Sequence, residues 1–187
     1  MIFFLNIMLL TAATAQSIET PKYQLIQKFE KFEIRDYGTV ITAKTVVNQG
    51  FRESTYTGFR RVANYIFGGN DQEKKIAMTA PVITQMKSAQ SHIVHFVMPL
   101  KYTLESLPDP NLGSVEIDKE KLGVIAAMRF GGWATEKRSN RYIEIFLKQL
   151  KDKNIEIVGD IRVAQYNGPT TIPPFRKNEI LIPVSYR

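Results

Sequence analysis

The stretch Leu107-Pro108-Asp109-Pro110-Asn111-Leu112-Gly113 divides the sequence into two parts that show the same order of structural patterns. Its two prolines, its glycine and its turn-forming Asp and Asn make it the strongest break of regular structure in the chain. The flanking segments, about residues 23–100 and 113–187, each show strand, strand, helix, strand and strand patterns. The sequence therefore predicts one domain built from two duplicated halves in a pseudo-twofold arrangement.

The first half predicts four strands and one helix. Apolar and β-branched residues alternate with polar ones in the strand segments, whereas apolar residues of the helical segment recur with the helical period. Asp36-Tyr37-Gly38 is the predicted turn of a hairpin, and Gly68-Gly69-Asn70 is the predicted end of the helix. The hairpin strands lie within residues 23–47, the later strands within 76–86 and 92–98, and the helix within 51–67.

The second half repeats this order. Gly131-Gly132 predicts a turn, and Thr135 is the predicted N-cap of a helix that reaches about Lys151. Neither half can bury its sheet alone. We therefore expect an α+β fold, a distorted antiparallel β-barrel with two outer helices formed by two duplicated ββαββ-like halves, with ligand grooves between helix and sheet. The predicted strands of this half are 115–117, 122–130, 155–166 and 179–185.

Composition limits the chemistry that the chain can perform. Its 187 residues, 44% of them apolar, suit one compact domain. The absence of cysteine excludes disulfides, thiolate metal sites and covalent attachment through a CxxCH motif. A formal charge of +7 favours anionic partners. The basic residues are scattered without a nucleic-acid-binding motif, so no nucleic-acid partner is expected.

The first fifteen residues, MIFFLNIMLLTAATA, have the pattern of a signal peptide. An apolar run from Ile2 to Leu10 precedes Ala13-Thr14-Ala15, which places small residues at the −3 and −1 positions. We expect cleavage near Ala15, export to the periplasm or the medium, and a mature domain of residues 16–187. No other apolar stretch reaches the roughly 18 residues that a membrane span requires, so no stable span is expected.

Motifs for catalysis and metal binding are weak. His92 and His95 are three residues apart on a predicted strand, so their side chains should point to opposite faces and not share a metal ion. No G-x-S-x-G, HExxH or Walker motif occurs. The sequence therefore favours a binding protein over an enzyme, and it leaves the oligomeric state open.

Aromatic and basic residues occur together in two places. Tyr56, Arg60 and Arg61 lie on or near the helix face turned from the expected core, and the loop Pro173–Lys177 adds further aromatic and basic groups. Together they could hold a flat apolar ligand with carboxylate arms. A solvated helix face and an ordinary loop would give the same pattern.

A series of short motifs resembles the SOUL family of haem-binding proteins over essentially the whole mature chain. The resemblance implies a distorted β-barrel with two helices and reversible, noncovalent binding of haem or another tetrapyrrole. The motifs, in order, are FEIRDYG (32–38), YIFGGN (65–70), KKIAMTAPV (74–82), FVMP (96–99), FGG (130–132) and RKNEI (176–180).

The resemblance also implies two modes of haem binding. In one, a histidine that has been proposed as the haem ligand stands where this chain has Asp36, and a carboxylate is a poor axial ligand. In the other, haem lies in a groove between the first helix and the loop before Arg176, with its propionates near basic side chains. Tyr37, Tyr56 or a nearby Met would be the iron ligand, if there is one. The groove positions that the resemblance implies include Tyr56, Phe59, Ala63, Arg176 and Lys177, and Arg60 and Arg61 could supply the charge that the helix otherwise lacks. The predicted haem groove adds Tyr166 and Phe175 to these residues.

Three functions remain open from the sequence. The leading one is an exported tetrapyrrole-binding protein that serves haem carriage or buffering. The same groove could instead hold another amphipathic anion. An enzyme that modifies tetrapyrroles is the third hypothesis, with Glu179 or Tyr166 as its working groups.

Overall fold

The computed structural model describes residues 18–168 and 170–186, so the predicted signal peptide and its cleavage site lie outside the described residues. The described residues form ten strands and two long helices. The elements are β1 (Gln24–Lys28), β2 (Glu33–Asp36), β3 (Thr39–Val47), α1 (Phe51–Ile66), β4 (Val82–Ser88), β5 (Ser91–Val97), β6 (Glu116–Lys121), β7 (Val124–Gly131), α2 (Glu136–Asp152), β8 (Glu156–Ile157), β9 (Arg162–Gln165) and β10 (Lys177–Ser185).

All neighbouring strands of the sheet are antiparallel, in the order β1-β2-β7-β10-β9-β4-β5-β3-β6, and β8 pairs with the end of β10. The sheet is strongly curled, because Arg162 on β9 reaches Glu120 on β6, although three strands lie between β9 and β6 in the sheet. It remains open between β1 and β6. The predicted α+β architecture with two outer helices is confirmed, as a curled sheet rather than a closed barrel.

The strand order shows the duplication directly. The two halves contain equivalent strands, β2 with β6, β3 with β7, β4 with β9 and β5 with β10. If each strand changes places with its equivalent, the strand order from β2 to β6 becomes its own reverse. The two halves meet where β4 pairs with β9, with Ile83 opposite Ala164. The pseudo-twofold axis therefore passes through the middle of the sheet.

Each helix covers the outer face of one half. On α1, Val62, Tyr65 and Ile66 are buried with Phe96 of β5. Gly58 allows this close approach, because a Cβ at Gly58 would overlap the side chain of Val94.

The second helix begins as predicted. The Thr135 hydroxyl accepts a hydrogen bond from the Arg138 N–H at 3.3 Å. Ile143, Phe146 and Leu150 of α2 are buried with Ile180 of β10. No helix in the described part of the chain is long and apolar enough to cross a membrane.

The inner face of the sheet, defined as the face turned away from both helices, has its own apolar cluster. Because side chains alternate along a strand, Leu181 lies in this cluster while Ile180 packs under α2. The buried members of the inner cluster are Ile83, Val97, Leu122, Ile125, Ala127, Ala164 and Leu181.

The hairpin predicted around Asp36-Tyr37-Gly38 is wrong, because β2 pairs with β1 and β7, whereas β3 pairs with β5 and β6.

Four predicted strands are wrong in their extent. The strand predicted for residues 115–117 runs from Glu116 to Lys121 as β6. The segment before Asp36 forms two strands, because a bend at Glu30-Lys31 separates β1 from β2. The strand predicted from Ile76 begins only at Val82, since Pro81 has no N–H and the Ala80 N–H donates to Glu19 O instead of to the sheet. The strand predicted for residues 155–166 is interrupted between β8 and β9.

Candidate ligand-binding site

The residues of the predicted groove lie on two faces of the sheet. On α1, Phe59 and Ala63 point towards the outer face, where the Phe59 ring lies 5.6 Å from that of Phe96. Tyr166 instead packs in the inner cluster. Lys177 is also on the inner side, with Nζ 3.8 Å from the centre of the Tyr166 ring. The sheet therefore separates Tyr166 and Lys177 from the helix residues of the predicted groove.

The exposed part of α1 carries one ring between two cations. Arg52, Tyr56 and Arg60 are spaced four residues apart and all are exposed, so they form one stripe, here called the α1 stripe. Tyr56 is 65% exposed, and the Arg60 guanidinium carbon lies 5.7 Å from the centre of its ring. Arg61 is on another side, where Nη1 donates to Val46 O at 3.0 Å.

Arg176 holds the loop that precedes β10. It is 6% exposed, and its guanidinium carbon lies 3.5 Å from the centre of the Trp133 ring. Its Nε donates to Thr171 O at 2.9 Å and its Nη2 to Gly168 O at 3.0 Å. Phe175 next to it is 73% exposed. The guanidinium is thus engaged within the protein, whereas the neighbouring aromatic ring is available to a ligand.

A buried carboxylate organises one half of the inner face. Glu179 is fully buried, and its two oxygens accept bonds from Arg35 Nη1 at 2.9 Å and Nη2 at 3.2 Å. Tyr166 OH donates to Glu179 Oε2 at 2.6 Å. Arg35 also donates to Glu33 and to Tyr37 OH. Every oxygen of Glu179 is therefore occupied by protein donors.

Burial and charge set the protonation states of this group. Burial acts to raise the pKa of Glu179, but the hydrogen bonds from Arg35 and Tyr166 and the charge of Arg35 lower it overall. Burial and then the Glu179 charge raise the pKa of Tyr166, and burial raises that of Tyr37 to about 12. At neutral pH, Glu179 is therefore ionised and both tyrosines are neutral.

A second polar group lies in the other half of the inner face. Glu120 accepts from Arg162 Nη2 at 2.8 Å and lies 3.3 Å from His95 Nδ1. Burial lowers the pKa of His95, against the opposite effect of the Glu120 hydrogen bond, so the imidazole is neutral at pH 7. Arg162 is 8% exposed, and its Nε and Nη1 have no hydrogen-bond partner among the described residues.

Two adjoining cavities border the inner cluster, and the larger also reaches Ile41, Met98 and Tyr102, which pack with the outer cluster under α1. The larger has a volume of about 420 Å³ and the smaller about 130 Å³. Thr20, Pro21 and Tyr37 line both, so the segment that leads into β1 borders both cavities. Of the predicted site residues, Tyr37, Tyr166 and Lys177 border a cavity.

Sequence reasoning missed Glu120 and Arg162 as site residues, and it noted Arg35 only within a motif. A signal for Arg35 was present, because it follows Ile34 in a strand and must point to the opposite face. The meeting of Glu120 with Arg162 depends on the curl of the sheet and has no local sequence signal.

Comparison with known proteins identifies the family. The family model for the SOUL heme-binding protein matches residues 18–183, which is nearly all of the described chain. The chain belongs to the SOUL family. This SOUL-family chain is 26% identical over 182 residues to human Heme-binding protein 2, covering 90% of this chain and 87% of the human protein. It is 25% identical to Heme-binding protein 1 of Xenopus laevis, covering 64% of this chain and 68% of that protein.

Solved structures share the fold of this SOUL-family chain at low sequence identity. A hydrolase from Listeria innocua matches with a TM-score of 0.60 at 11% identity, covering 86% of this chain and 94% of that one. The EcmrR C-terminal domain also matches with a TM-score of 0.60, at 13% identity, covering 88% of this chain and 99% of that domain. These likenesses concern the fold alone.

The histidines of the SOUL-family chain are not placed to ligate a metal at its surface. His92 is 1% exposed with Nδ1 at 3.1 Å from Gln49 O, and His95 is 2% exposed beside Glu120. Asp36 accepts a bond from the Gly38 N–H at 2.8 Å. The described residues contain no cluster of three or more His, Asp or Glu side chains that could hold a metal ion. Tyr56 is the phenol that α1 exposes.

Proposed function

We propose that this SOUL-family chain binds haem or a related tetrapyrrole reversibly and without covalent attachment. The observation that carries the proposal is the family match over residues 18–183, together with relatives that are named as heme-binding proteins. The absence of cysteine from the sequence is consistent with noncovalent binding.

The α1 stripe and the exposed ring of Phe175 are two surfaces that could each contact such a ligand. A tetrapyrrole has a flat apolar face and two carboxylate arms. Tyr56 and Phe175 expose aromatic faces against which a macrocycle could lie. Arg52 and Arg60 are exposed on either side of Tyr56 and could pair with the propionates. We assign no propionate to Lys177, which lies on the inner face, or to Arg176, which holds its own loop.

Binding in this mode does not require a histidine ligand to the iron. Both histidines are buried, and the Asp36 carboxylate is engaged by its own turn. Tyr56 is therefore the candidate for a bond to the iron on α1. If the macrocycle is held mainly by stacking and charge, the metal-free porphyrin should bind nearly as well as haemin.

Titration of the mature chain, residues 16–187, with haemin and with protoporphyrin IX tests the proposal. The absorbance of the porphyrin and the fluorescence of the single tryptophan, Trp133, should both change saturably. We expect the two affinities to agree within about tenfold, or 1.4 kcal/mol. Tyr56→Ala should weaken both ligands, whereas Tyr56→Phe, which keeps the ring, should weaken only haemin if the phenol binds the iron.

A matched control and a contradicting result make the test decisive. Arg60→Gln should weaken haemin by about 1.5- to fivefold, as expected for an exposed ion pair, whereas Lys148→Gln on the exposed side of α2 should not. Absence of saturable binding would refute the function. Binding that Tyr56→Ala and Arg60→Gln leave unchanged would refute the site.

We also propose that the chain is exported and carries or buffers its ligand outside the cytoplasm. The support is the apolar run Ile2–Leu10 followed by Ala13-Thr14-Ala15. Mass spectrometry of the protein from its own cells should find a mature chain that begins at Gln16. A full-length chain that begins at Met1 would contradict export by cleavage.

A further inference from the structure

We propose that the two adjoining cavities that border the inner cluster form a second binding site, for a small amphipathic carboxylate. Among the described residues that line these cavities, none belongs to the α1 stripe, so the inference does not rest on tetrapyrrole binding. The larger cavity, at about 420 Å³, falls within the roughly 300–1,000 Å³ that is usual for small-molecule sites.

The larger cavity is suited to the apolar part of the ligand. Residues of β3 and β5 and of the segment that follows β5 line it. Their side chains are mostly aliphatic, and few of them are charged. Tyr37 and Tyr102 add aromatic surface. Its apolar lining residues include Val40, Ile41, Val97, Met98, Pro99 and Leu100.

The smaller cavity is suited to the anionic group. Three cationic side chains, Arg35, Arg162 and Lys177, line it, and no carboxylate is among its described lining residues. Its other polar lining side chains include the phenols of Tyr23, Tyr37 and Tyr166. An anion entering from the larger cavity would thus meet positive charge and the hydroxyl groups of Tyr23 and Tyr37, whereas the Tyr166 O–H is donated to Glu179.

The nearby carboxylates are not available to bind a cationic ligand, because donors of the protein already occupy them. Glu179 is fully buried, with its oxygens bonded to Arg35 and Tyr166, and Glu120 is held by Arg162. In contrast, two cationic side chains of the smaller cavity can still donate hydrogen bonds to a ligand. The Lys177 side chain is 38% exposed with Nζ 3.8 Å from Glu179, and two nitrogens of Arg162 have no hydrogen-bond partner in the described part of the chain. The cavity therefore selects for negative charge.

The segment that leads into β1 closes one side of this site. Glu19 O accepts from the Ala80 N–H at 2.9 Å, and Glu19 Oε1 accepts from the Leu100 N–H at 2.8 Å. These bonds fix Thr20 and Pro21 where they line both cavities. The site is thus a shaped enclosure and not an open sheet face.

Calorimetric titration of residues 16–187 with 2-naphthoate tests the inference. This probe combines a flat apolar body with one carboxylate. We expect saturable binding, and at least about tenfold weaker binding of the neutral analogue 2-naphthamide, because charge-assisted hydrogen bonds are roughly twice as strong as those between neutral groups. Equal binding of the two probes, or no binding of 2-naphthoate, would overturn the proposal.

Variants locate the probe. Lys177→Gln should weaken 2-naphthoate by about 1.5- to fivefold, since the ammonium is partly exposed. Val40→Trp should abolish binding by filling the larger cavity. Unfolding temperatures of both variants verify that they fold, and Lys148→Gln is the charge-matched control. If Arg60→Gln weakens 2-naphthoate as much as Lys177→Gln does, the probe lies on the α1 stripe and the inner site is refuted. Tetrapyrrole binding could then still hold, because haemin is tested separately.

Discussion

Glu179 and His95 occupy equivalent positions on the inner face of the two halves. One row of paired residues crosses the sheet from Glu179 through Ala164 and Ile83 to His95. The pseudo-twofold axis passes between Ala164 and Ile83, so it exchanges the two ends of the row. Both end residues are buried. Duplication has therefore left an acid in one half where the other half has an imidazole.

The partners of these two residues are exchanged as well. By the same registers, Arg35 on β2 is equivalent to Glu120 on β6. Arg35 binds Glu179, whereas Glu120 lies against His95. The basic and acidic positions are thus reversed between the halves, and the two groups should respond differently to mutation and to pH.

The buried pair of Arg35 and Glu179 should be strongly coupled. Glu179→Leu alone should lower the free energy of unfolding by about 3–5 kcal/mol, because it leaves a buried guanidinium without its main partner. Adding Arg35→Met should recover much of that loss, since no uncompensated charge remains. Urea unfolding of the two single variants and the double variant measures the coupling.

An exposed pair provides the control for this cycle. Lys44 Nζ lies 3.3 Å from Asp118 Oδ2, and both side chains are partly or largely exposed. Its cycle should give less than about 1 kcal/mol. Equal coupling energies for the two pairs would contradict the role assigned to Glu179.

The stability of the protein should fall in two separate steps as the solution is acidified. The folded-state pKa of His95 is lowered, so its contribution is present above the unfolded pKa of about 6.5 and is lost as pH falls towards the folded pKa. The pKa of Glu179 is also lowered, so its contribution is lost only below about pH 4.3.

Neutral substitutions separate the two steps. In unfolding experiments between pH 7 and pH 3, His95→Gln should flatten the upper part of the profile, and Glu179→Gln the lower part. A His95→Gln profile that parallels the wild type between pH 6.5 and pH 5 would show that this histidine is not held neutral.

Local sequence signals predicted the elements of the fold well. The hydroxyl of Thr135 caps α2 as its residue type predicts, and α1 ends within one residue of the predicted end. The strand errors arose where backbone N–H groups find partners far along the chain. Ala80, which donates to Glu19, is one example.

The site was harder to predict because it depends on which face each strand presents. The sequence does not determine on which face of the sheet the side chains of Tyr166 and Lys177 lie. Both were therefore assigned to a groove that includes α1. Their actual face follows from the pairing of Ile83 with Ala164, which is long-range. A one-residue change in register would reverse the face of every side chain.

The contact between α1 and β5 should tolerate no side chain at Gly58. Gly58→Ala would place a Cβ against Val94, so we expect a loss of about 1–3 kcal/mol in unfolding free energy from overpacking, despite the higher helix propensity of alanine. Gly113→Ala is the matched control, because a Cβ there meets no atom within 4 Å. A Gly58→Ala protein as stable as the wild type would show that α1 can move away from β5.

Arg176 should act on the loop before β10 and not on a ligand carboxylate. Arg176→Lys keeps the positive charge but loses the planar group that stacks on Trp133 and donates to Thr171 O and Gly168 O. Amide hydrogen exchange should therefore become faster in the loop around Thr171, and the fluorescence of Trp133 should change in the absence of any ligand.

Haemin affinity distinguishes the two roles when Arg176→Lys is compared with Arg176→Ala. A propionate partner would be replaced by lysine with little loss and by alanine with a clear loss. A residue that holds the loop would make the two variants similar in exchange and in haemin affinity, because neither restores the stack or the paired carbonyl bonds.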